Sequence, residues 1–167
     1  MAREEQTRKT TDELIERAWK IAHAANVATL ITVDGGKAIA RPMSPRMDAD
    51  THVVCFLTSV ESRKVQQADA GHTGATVFFA HGNGYVSFTG TLSISNDRAK
   101  IRDLWSAFDK AWWTSADDPS IRLATFVASE AELWDGPNKL AAAALMLTAA
   151  VTGSKPKLGD HAQLPAR

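Results

Sequence analysis

Tyr85-Val86-Ser87-Phe88-Thr89-Gly90-Thr91-Leu92-Ser93-Ile94 is the stretch that decides the fold class. Val86, Phe88, Leu92 and Ile94 alternate with Tyr85, Ser87, Thr89, Thr91 and Ser93, the two-residue period of a strand with one buried face. Gly90 interrupts the inward series, which marks a point where the backbone bends or meets another layer. Before it, His81-Gly82-Asn83-Gly84 is a turn and residues 75–80 read as the preceding strand. Further upstream, residues 26–33 and 37–47 flank Asp34-Gly35-Gly36, a hairpin signal, and residues 52–58 form another apolar run. Residues 121–128 add a last strand. Pro42 and Pro45 cannot donate to a ladder, so the end of the second strand belongs at a rim or bulge.

Helices are inserted among these strands without regular alternation. Thr10 and Glu13 have capping-box spacing, and Leu14, Ala18, Ile21, Ala22 and Ala25 follow at helical intervals. A short helix is expected over residues 61–70. After Asn96, the spacing of Ile101, Leu104, Trp105, Phe108 and Trp112 predicts one helix face packed on the sheet, which would turn Trp113 off that face. Residues 140–151 read as an alanine-rich helix closed by Gly153. The sum is mainly β with added helices, an α+β chain closed as a small antiparallel barrel. Residues 1–9 and 154–167 read as tails around one domain over 10–153.

Nineteen basic and nineteen acidic residues give a formal charge of zero, so no global field draws the chain to nucleic acid or to an anionic membrane. Any basic site must be local. The single cysteine, Cys55, excludes an intramolecular disulfide, and the polar, mixed-charge start has no apolar run of the signal-peptide kind, so a cytoplasmic location is expected. The five histidines are scattered without ligand spacing, which argues against zinc. Residues 140–151 are too short a run to span a bilayer.

Phe56-Leu57-Thr58-Ser59-Val60-Glu61-Ser62-Arg63-Lys64 carries the candidate chemistry. An apolar strand ends in hydroxyls and passes into a helix whose first turn brings two cations, an arrangement suited to a phosphate. Arg41 adds a third cation from within a strand.

These pieces, in their order, resemble the FMN-binding split-barrel superfamily that includes pyridoxamine 5'-phosphate oxidase, and most closely its general stress protein 26 branch. The resemblance rests on residues 30–33 with Asp34-Gly35, Arg41-Pro42-Met43, Phe56-Leu57-Thr58 with Ser62-Arg63-Lys64, and Tyr85-Val86-Ser87 with Gly90. It continues through Leu104-Trp105, Ala111-Trp112, Asp117-Asp118-Pro119 and Ala131-Glu132-Leu133-Trp134-Asp135-Gly136-Pro137. It implies a six-stranded split barrel working as a homodimer, with FMN at the subunit interface. Arg41, Ser62, Arg63 and Lys64 would then hold the phosphate, and Thr58 would lie near the ribityl chain or ring. Arg41-Pro42-Met43-Ser44 would run along the isoalloxazine, Trp134 would approach from the second subunit, and Trp113 would be the better ring-covering candidate of the Trp112-Trp113 pair.

One departure separates the chain from the oxidases. They continue after the tryptophan motif with Arg-Leu-His-Asp-Arg, which grips the vitamin phosphate and ring, where this chain has Lys139-Leu140-Ala141-Ala142-Ala143. Losing two anchors worth about 1.5–3 kcal/mol each removes efficient oxidation of pyridoxamine phosphate from the expectation. Tyr85 also stands where those oxidases tend to have a glutamine near the flavin. What remains is a flavoprotein of general stress type with redox activity on an unknown substrate, or a non-catalytic flavin-binding or buffering protein, or a split barrel using deazaflavin or haem.

Overall fold

The computed structural model describes residues 9–48, 51–69, 73–137 and 159–166, together with 142, 145, 146, 148–150, 153 and 155. Helix α1 (Thr11–Ala24) begins at the expected box: Thr10 Oγ1 accepts the Glu13 N–H at 3.3 Å and Glu13 Oε2 accepts the Thr10 N–H at 2.7 Å. Its inner stripe, Ala18, Trp19, Ile21 and Ala22, is buried. The strands follow as β1 (Ala28–Asp34), β2 (Lys37–Met43), β3 (Arg46–Asp48), β4 (Val53–Ser59), β5 (Gly74–His81), β6 (Gly84–Ser95), β7 (Ile121–Asp135) and β8 (Asp160–Pro165). Helix α2 (Arg63–Asp69) lies between β4 and β5, and α3 (Arg98–Leu104) with a 3-10 turn (Ala107–Ala111) lies between β6 and β7.

Every ladder is antiparallel, and the sheet runs β2-β1-β5-β6-β7-β4-β3 with β8 added to β7. β2 and β3 are the two ends of that order, yet only Ser44 and Pro45 separate them in the chain. A flat sheet would hold its first and last strands six spacings apart, roughly 29 Å. Three peptide steps reach about 11 Å at most. The sheet must therefore roll until its edges nearly meet, and the two-residue link across the seam is what makes it a split barrel. Pro45 ends the pairing that the sequence reading ran through residues 37–47, so one expected strand is two.

The barrel interior holds Leu30, Val54, Phe56, Val77, Phe79, Val86, Phe88, Leu92, Phe126 and Leu133, with α1 packed over it. The Trp19 ring stacks on Phe88, with centroids 4.3 Å apart, and its Nε1 donates to the Ala166 carbonyl at 3.2 Å. Gly90 sits at a register shift, where Thr89 pairs with Glu130 but Gly90 pairs with Ala128. A Cβ there would lie 2.0 Å from the Val127 carbonyl oxygen. This is the close backbone approach anticipated for that glycine.

Eight strands are present among the described residues where six were expected, the additions being β3 and β8. β8 corrects the reading of residues 154–167 as a tail: Asp160–Pro165 pairs with residues 130–135 of β7, and Leu164 and Ala166 are buried. At the other end Lys9 is held by Asp160 at 2.9 Å and Asp135 at 3.4 Å, while residues 1–8 lie outside the described residues. The alanine-rich helix expected over 140–151 falls largely outside them too, although Leu145 and Met146 within it are helical.

The helix expected to run through Trp112 stops at Leu104. The turn that follows breaks the phase, leaving Phe108 88% and Trp112 80% exposed. Trp105 packs as expected, and Trp113 rather than Trp112 joins it against Cys55, Leu57, Ile101, Ile121 and Leu123 in a second apolar cluster. The roles read for Trp112 and Trp113 are thus reversed in packing.

Candidate functional site

Five polar side chains are buried among the described residues: Thr32, Thr58, Lys64, Gln67 and Asp109. Asp109 is answered by the Arg46 guanidinium and by the Ser106 N–H and hydroxyl at 2.8 and 2.9 Å, which ties the 3-10 turn to β3. The other four come from β1, β4 and α2 and form the candidate site with Arg41 of β2.

The register explains how they meet. Leu30 pairs with Arg41 and Thr32 with Ile39, so Arg41 and Thr32 project from the same face of the β1–β2 hairpin as the core residue Leu30. On β4, Thr58 continues the inward series of Val54 and Phe56. The apolar interior therefore ends in a polar rim. Helix α2 follows β4 and packs against β6. Ser62 precedes it and accepts a hydrogen bond from the Thr58 hydroxyl at 3.1 Å. Lys64 and Gln67, three apart on α2, share a buried face.

Arg41 Nη1 donates to Thr32 Oγ1 at 2.8 Å, and the Thr32 hydroxyl donates to Gln67 Oε1 at 2.8 Å. Lys64 is only 8% exposed and has no ion pair among the described residues. Burial pushes its amine below the ordinary lysine value, and the nearby Arg41 charge pushes it further. Two cations placed together without a carboxylate, one of them desolvated, leave a local excess of positive charge that an anion would neutralise.

The remaining candidates divide. Arg63 is largely exposed and turns toward Asp34, 3.7 Å away. Pro42 and Ser44 are exposed at the end of β2 and just beyond it, and Met43 packs partly on the core. Trp113 is held in the second cluster. Trp134 faces outward on β7, paired with Tyr85 across the ladder and stacked on His161 with centroids 5.3 Å apart. Phe78 stacks on Tyr85 at 6.2 Å, so Phe78, Tyr85, Trp134 and His161 make an aromatic row across β5, β6, β7 and β8. Of this row, Tyr85 and Trp134 stood out in the sequence; Phe78 and His161 did not, nor did Thr32 and Gln67. Thr32 had a signal in the inward positions Ala28, Leu30, Thr32, and Gln67 had one in its spacing from Lys64.

The position of Trp134 matters for any shared ligand. Thr58 pairs with Arg122, and Trp134 lies twelve residues further along β7, roughly 40 Å of strand contour. Across the sheet, however, Arg41 is level with Leu30 and Val77, next to Phe78, so what separates the aromatic row from the cationic rim is the face: Phe78, Tyr85 and Trp134 point outward, whereas Arg41, Thr32 and Thr58 share the inward face of Leu30 and Phe56.

Comparison with known proteins agrees with this architecture. The family model described as Pyridoxamine 5'-phosphate oxidase like matches residues 13–157, and the chain belongs to that family. Among solved structures, a protein assigned as general stress protein 26 in Jannaschia sp. CCS1 is similar at 23% identity, covering 93% of this chain and 99% of its own, with a TM-score of 0.76. General Stress Protein 26 from Bacillus anthracis str. Sterne is 20% identical, covering 72% of this chain and 92% of its own, with a TM-score of 0.65. The general stress FMN/FAD binding protein of Xanthomonas citri is 28% identical, covering 74% and 89%, with a TM-score of 0.65. No curated protein matches the chain.

Proposed function

We propose that the protein is a cytoplasmic, homodimeric FMN-binding protein of the general stress type, using its flavin for redox chemistry on a small substrate. The observation that carries the reading is Lys64, buried with no carboxylate partner among the described residues and close enough to Arg41 for that charge to lower its pKa, in a site that also holds the Thr32 and Thr58 hydroxyls. A terminal phosphate fits that set, because it brings two negative charges and only acceptors to groups that are cationic or can donate. The similarity to the FMN/FAD binding protein of Xanthomonas citri supports the same ligand class.

Arg41, Lys64, Thr58 and Ser62 would anchor the phosphate, with Arg63 free to swing from Asp34 at little cost because that pair is long and solvated. The main chain of Pro42, Met43 and Ser44 would line the ring, since β2 is an end strand of the sheet, pairing on one side with β1 alone, and Ser44 lies beyond that ladder. Bound flavin supplies one- or two-electron transfer, and the protein contributes anchoring and orientation. Trp134 faces outward while Arg41 and Thr58 face inward, which favours a second copy as the source of any aromatic contact with the ring and is the reason for proposing a dimer.

Titrating the apoprotein with FMN, riboflavin and FAD tests the reading, with tightest binding expected for FMN. Equal affinity for riboflavin would overturn the phosphate assignment. Light scattering on the FMN-loaded protein should give a dimer mass; a monomer holding FMN at full occupancy would remove the interface. Pyridoxamine phosphate is expected to be a poor substrate. The segment that carries that argument, residues 139–143, lies outside the described residues except for Ala142. Turnover with a reduced nicotinamide distinguishes a redox enzyme from a flavin store, and the visible spectrum distinguishes flavin from deazaflavin or haem.

A further inference from the structure

The chain Arg41, Thr32, Gln67 does not close as a hydrogen-bond network. A guanidinium only donates, so Thr32 accepts from Arg41 and must pass its single proton to an acceptor, which sets the Gln67 amide with Oε1 toward Thr32. The NH2 group is left at the far end, and Gln67 Nε2 is buried with no partner. Reversing the amide does not help. Thr32 would then face donors on both sides, and its own proton would be the orphan. In either orientation one buried donor is left over, on side chains that are 4% and 8% exposed.

Buried donors in native proteins are met by something. A water could meet Gln67 Nε2 but would leave the charges of Arg41 and Lys64 uncompensated, whereas an anion answers both. An acceptor-only group closes the network. Carboxylates would serve, but no Asp or Glu among the described residues pairs with Arg41 or Lys64. An anionic ligand would supply both the acceptor and the counter-charge.

We propose that Thr32 and Gln67 form the phosphate-selecting wall of the flavin site. Gln67 Nε2 donates to the phosphomonoester that Arg41 and Lys64 neutralise, while Thr32 holds both Arg41 and the amide in the donating orientation. This donor-only lining sets the preference for FMN over riboflavin. The inference rests on the flavin reading above, and it assigns a role to two residues outside the strand-end and helix-start motif.

The test uses the full-length apoprotein with FMN, with riboflavin, which has the same ring and no phosphate, and with inorganic phosphate alone. The wild type should prefer FMN, and its melting temperature should rise with added phosphate. Gln67→Met keeps the length of the side chain but removes the amide. It should reduce the FMN-to-riboflavin affinity ratio by roughly ten- to 150-fold, the worth of one hydrogen bond to a charged group, with riboflavin affinity unchanged. Gln67→Glu, which puts an acceptor where the donor stood, should reduce the ratio further, and both variants should lose the phosphate-induced melting shift. Unchanged riboflavin binding certifies the fold and the ring site in each variant. If Gln67→Met does not fold, Thr32→Val, close in shape and lacking the relay hydroxyl, should lower the same ratio. A wild type that prefers FMN and a variant that keeps the full preference overturn the role of this wall while leaving the flavin reading intact. A wild type that binds riboflavin as tightly as FMN overturns the flavin phosphate site itself.

Discussion

Lys64→Met should make the ligand-free protein more stable and the flavin-bound protein harder to form, two effects of opposite sign from one substitution. Lys64 is 8% exposed, has no carboxylate partner among the described residues, and lies close enough to Arg41 for that charge to depress its pKa. Methionine keeps the aliphatic stem and removes the desolvated charge, a relief of about 1–2 kcal/mol for a partly hydrated buried amine. In a domain of this size each kcal/mol moves the melting temperature by about 2–4 °C, so the apo variant should melt roughly 2–8 °C above wild type. Loss of a charge-assisted bond to phosphate costs about 1.5–3 kcal/mol, which weakens FMN binding roughly ten- to 150-fold. The pH dependence has a definite sign. Because the folded amine holds its proton less tightly than the unfolded one, its stability cost is full below its depressed folded-state pKa and fades as pH rises from there toward the ordinary lysine value. The apo stability gap between variant and wild type should therefore close through the alkaline range. Thermal unfolding in phosphate-free buffer, with and without FMN and across pH, reads all three effects. An apo variant that melts below wild type, or one that binds FMN as tightly as wild type, would refute the reasoning that Lys64 is held uncompensated for an anion.

Three further outcomes test the fold around the site. Gly90→Ala would drive a methyl into the Val127 carbonyl, backbone against backbone at the bulge, and should cost about 3 kcal/mol or more, read as a melting temperature about 6–12 °C lower. Trp113→Ala should cost about 2–3 kcal/mol by opening the second apolar cluster, whereas Trp112→Ala, at a side chain 80% exposed, should change stability by less than about 0.5 kcal/mol; equal effects in chemical denaturation would restore the single-helix reading of that segment. Asp135 accepts from Arg17 at 2.9 and 2.8 Å, and that hydrogen bond, ahead of the Arg17 and Lys9 charges, holds its carboxyl below the usual range. Its contribution, about 1 kcal/mol after screening by solvent, should be present above the ordinary aspartate value and lost as pH falls through the lowered one. Asp135→Asn should remove that acid-sensitive component from a stability-versus-pH series.

The strands that face one way into the core were legible because burial imposes a period, and α1 was legible because its cap is local chemistry. Residues 84–95 alternate along almost their full length, and Thr10 with Glu13 stated the helix start outright. The elements that failed depend on partners distant in sequence. β8, His161-Ala162-Gln163-Leu164-Pro165 with Asp160 before it, has little strand propensity of its own and exists because β7 offers it an edge that Lys9 and Trp19 help to close. The Ile101–Trp112 spacing satisfied a helical period by coincidence. Ser106 and Asp109 cap a separate turn there, and Arg46 from β3 binds Asp109, so a tertiary ion pair overrides the phase that local spacing suggested.

The site was legible in its cations and hidden in its neutral groups. Arg41 stands out because a cation within a strand is expensive, and Lys64 because it follows Arg63 in the first turn of a helix; that Lys64 is also buried, with its pKa lowered, is visible only in the structure. Thr32 and Gln67 carry no such mark: a threonine is ordinary in a strand and a glutamine is ordinary on a helix. Their significance appears only when the hairpin register brings Arg41 level with Leu30, Thr32 falls on the same face, and α2 lowers Gln67 onto it. The donor count then does what sequence could not. Each of the three residues is satisfied or nearly so by its neighbour, but the chain as a whole has one more buried donor than acceptor, beside two cations. A fold that needed these residues only for packing could have ended the same barrel with apolar side chains at lower desolvation cost. That it ends instead in a rim of cations and donors, short of one acceptor, is the physical ground for placing an anionic ligand there.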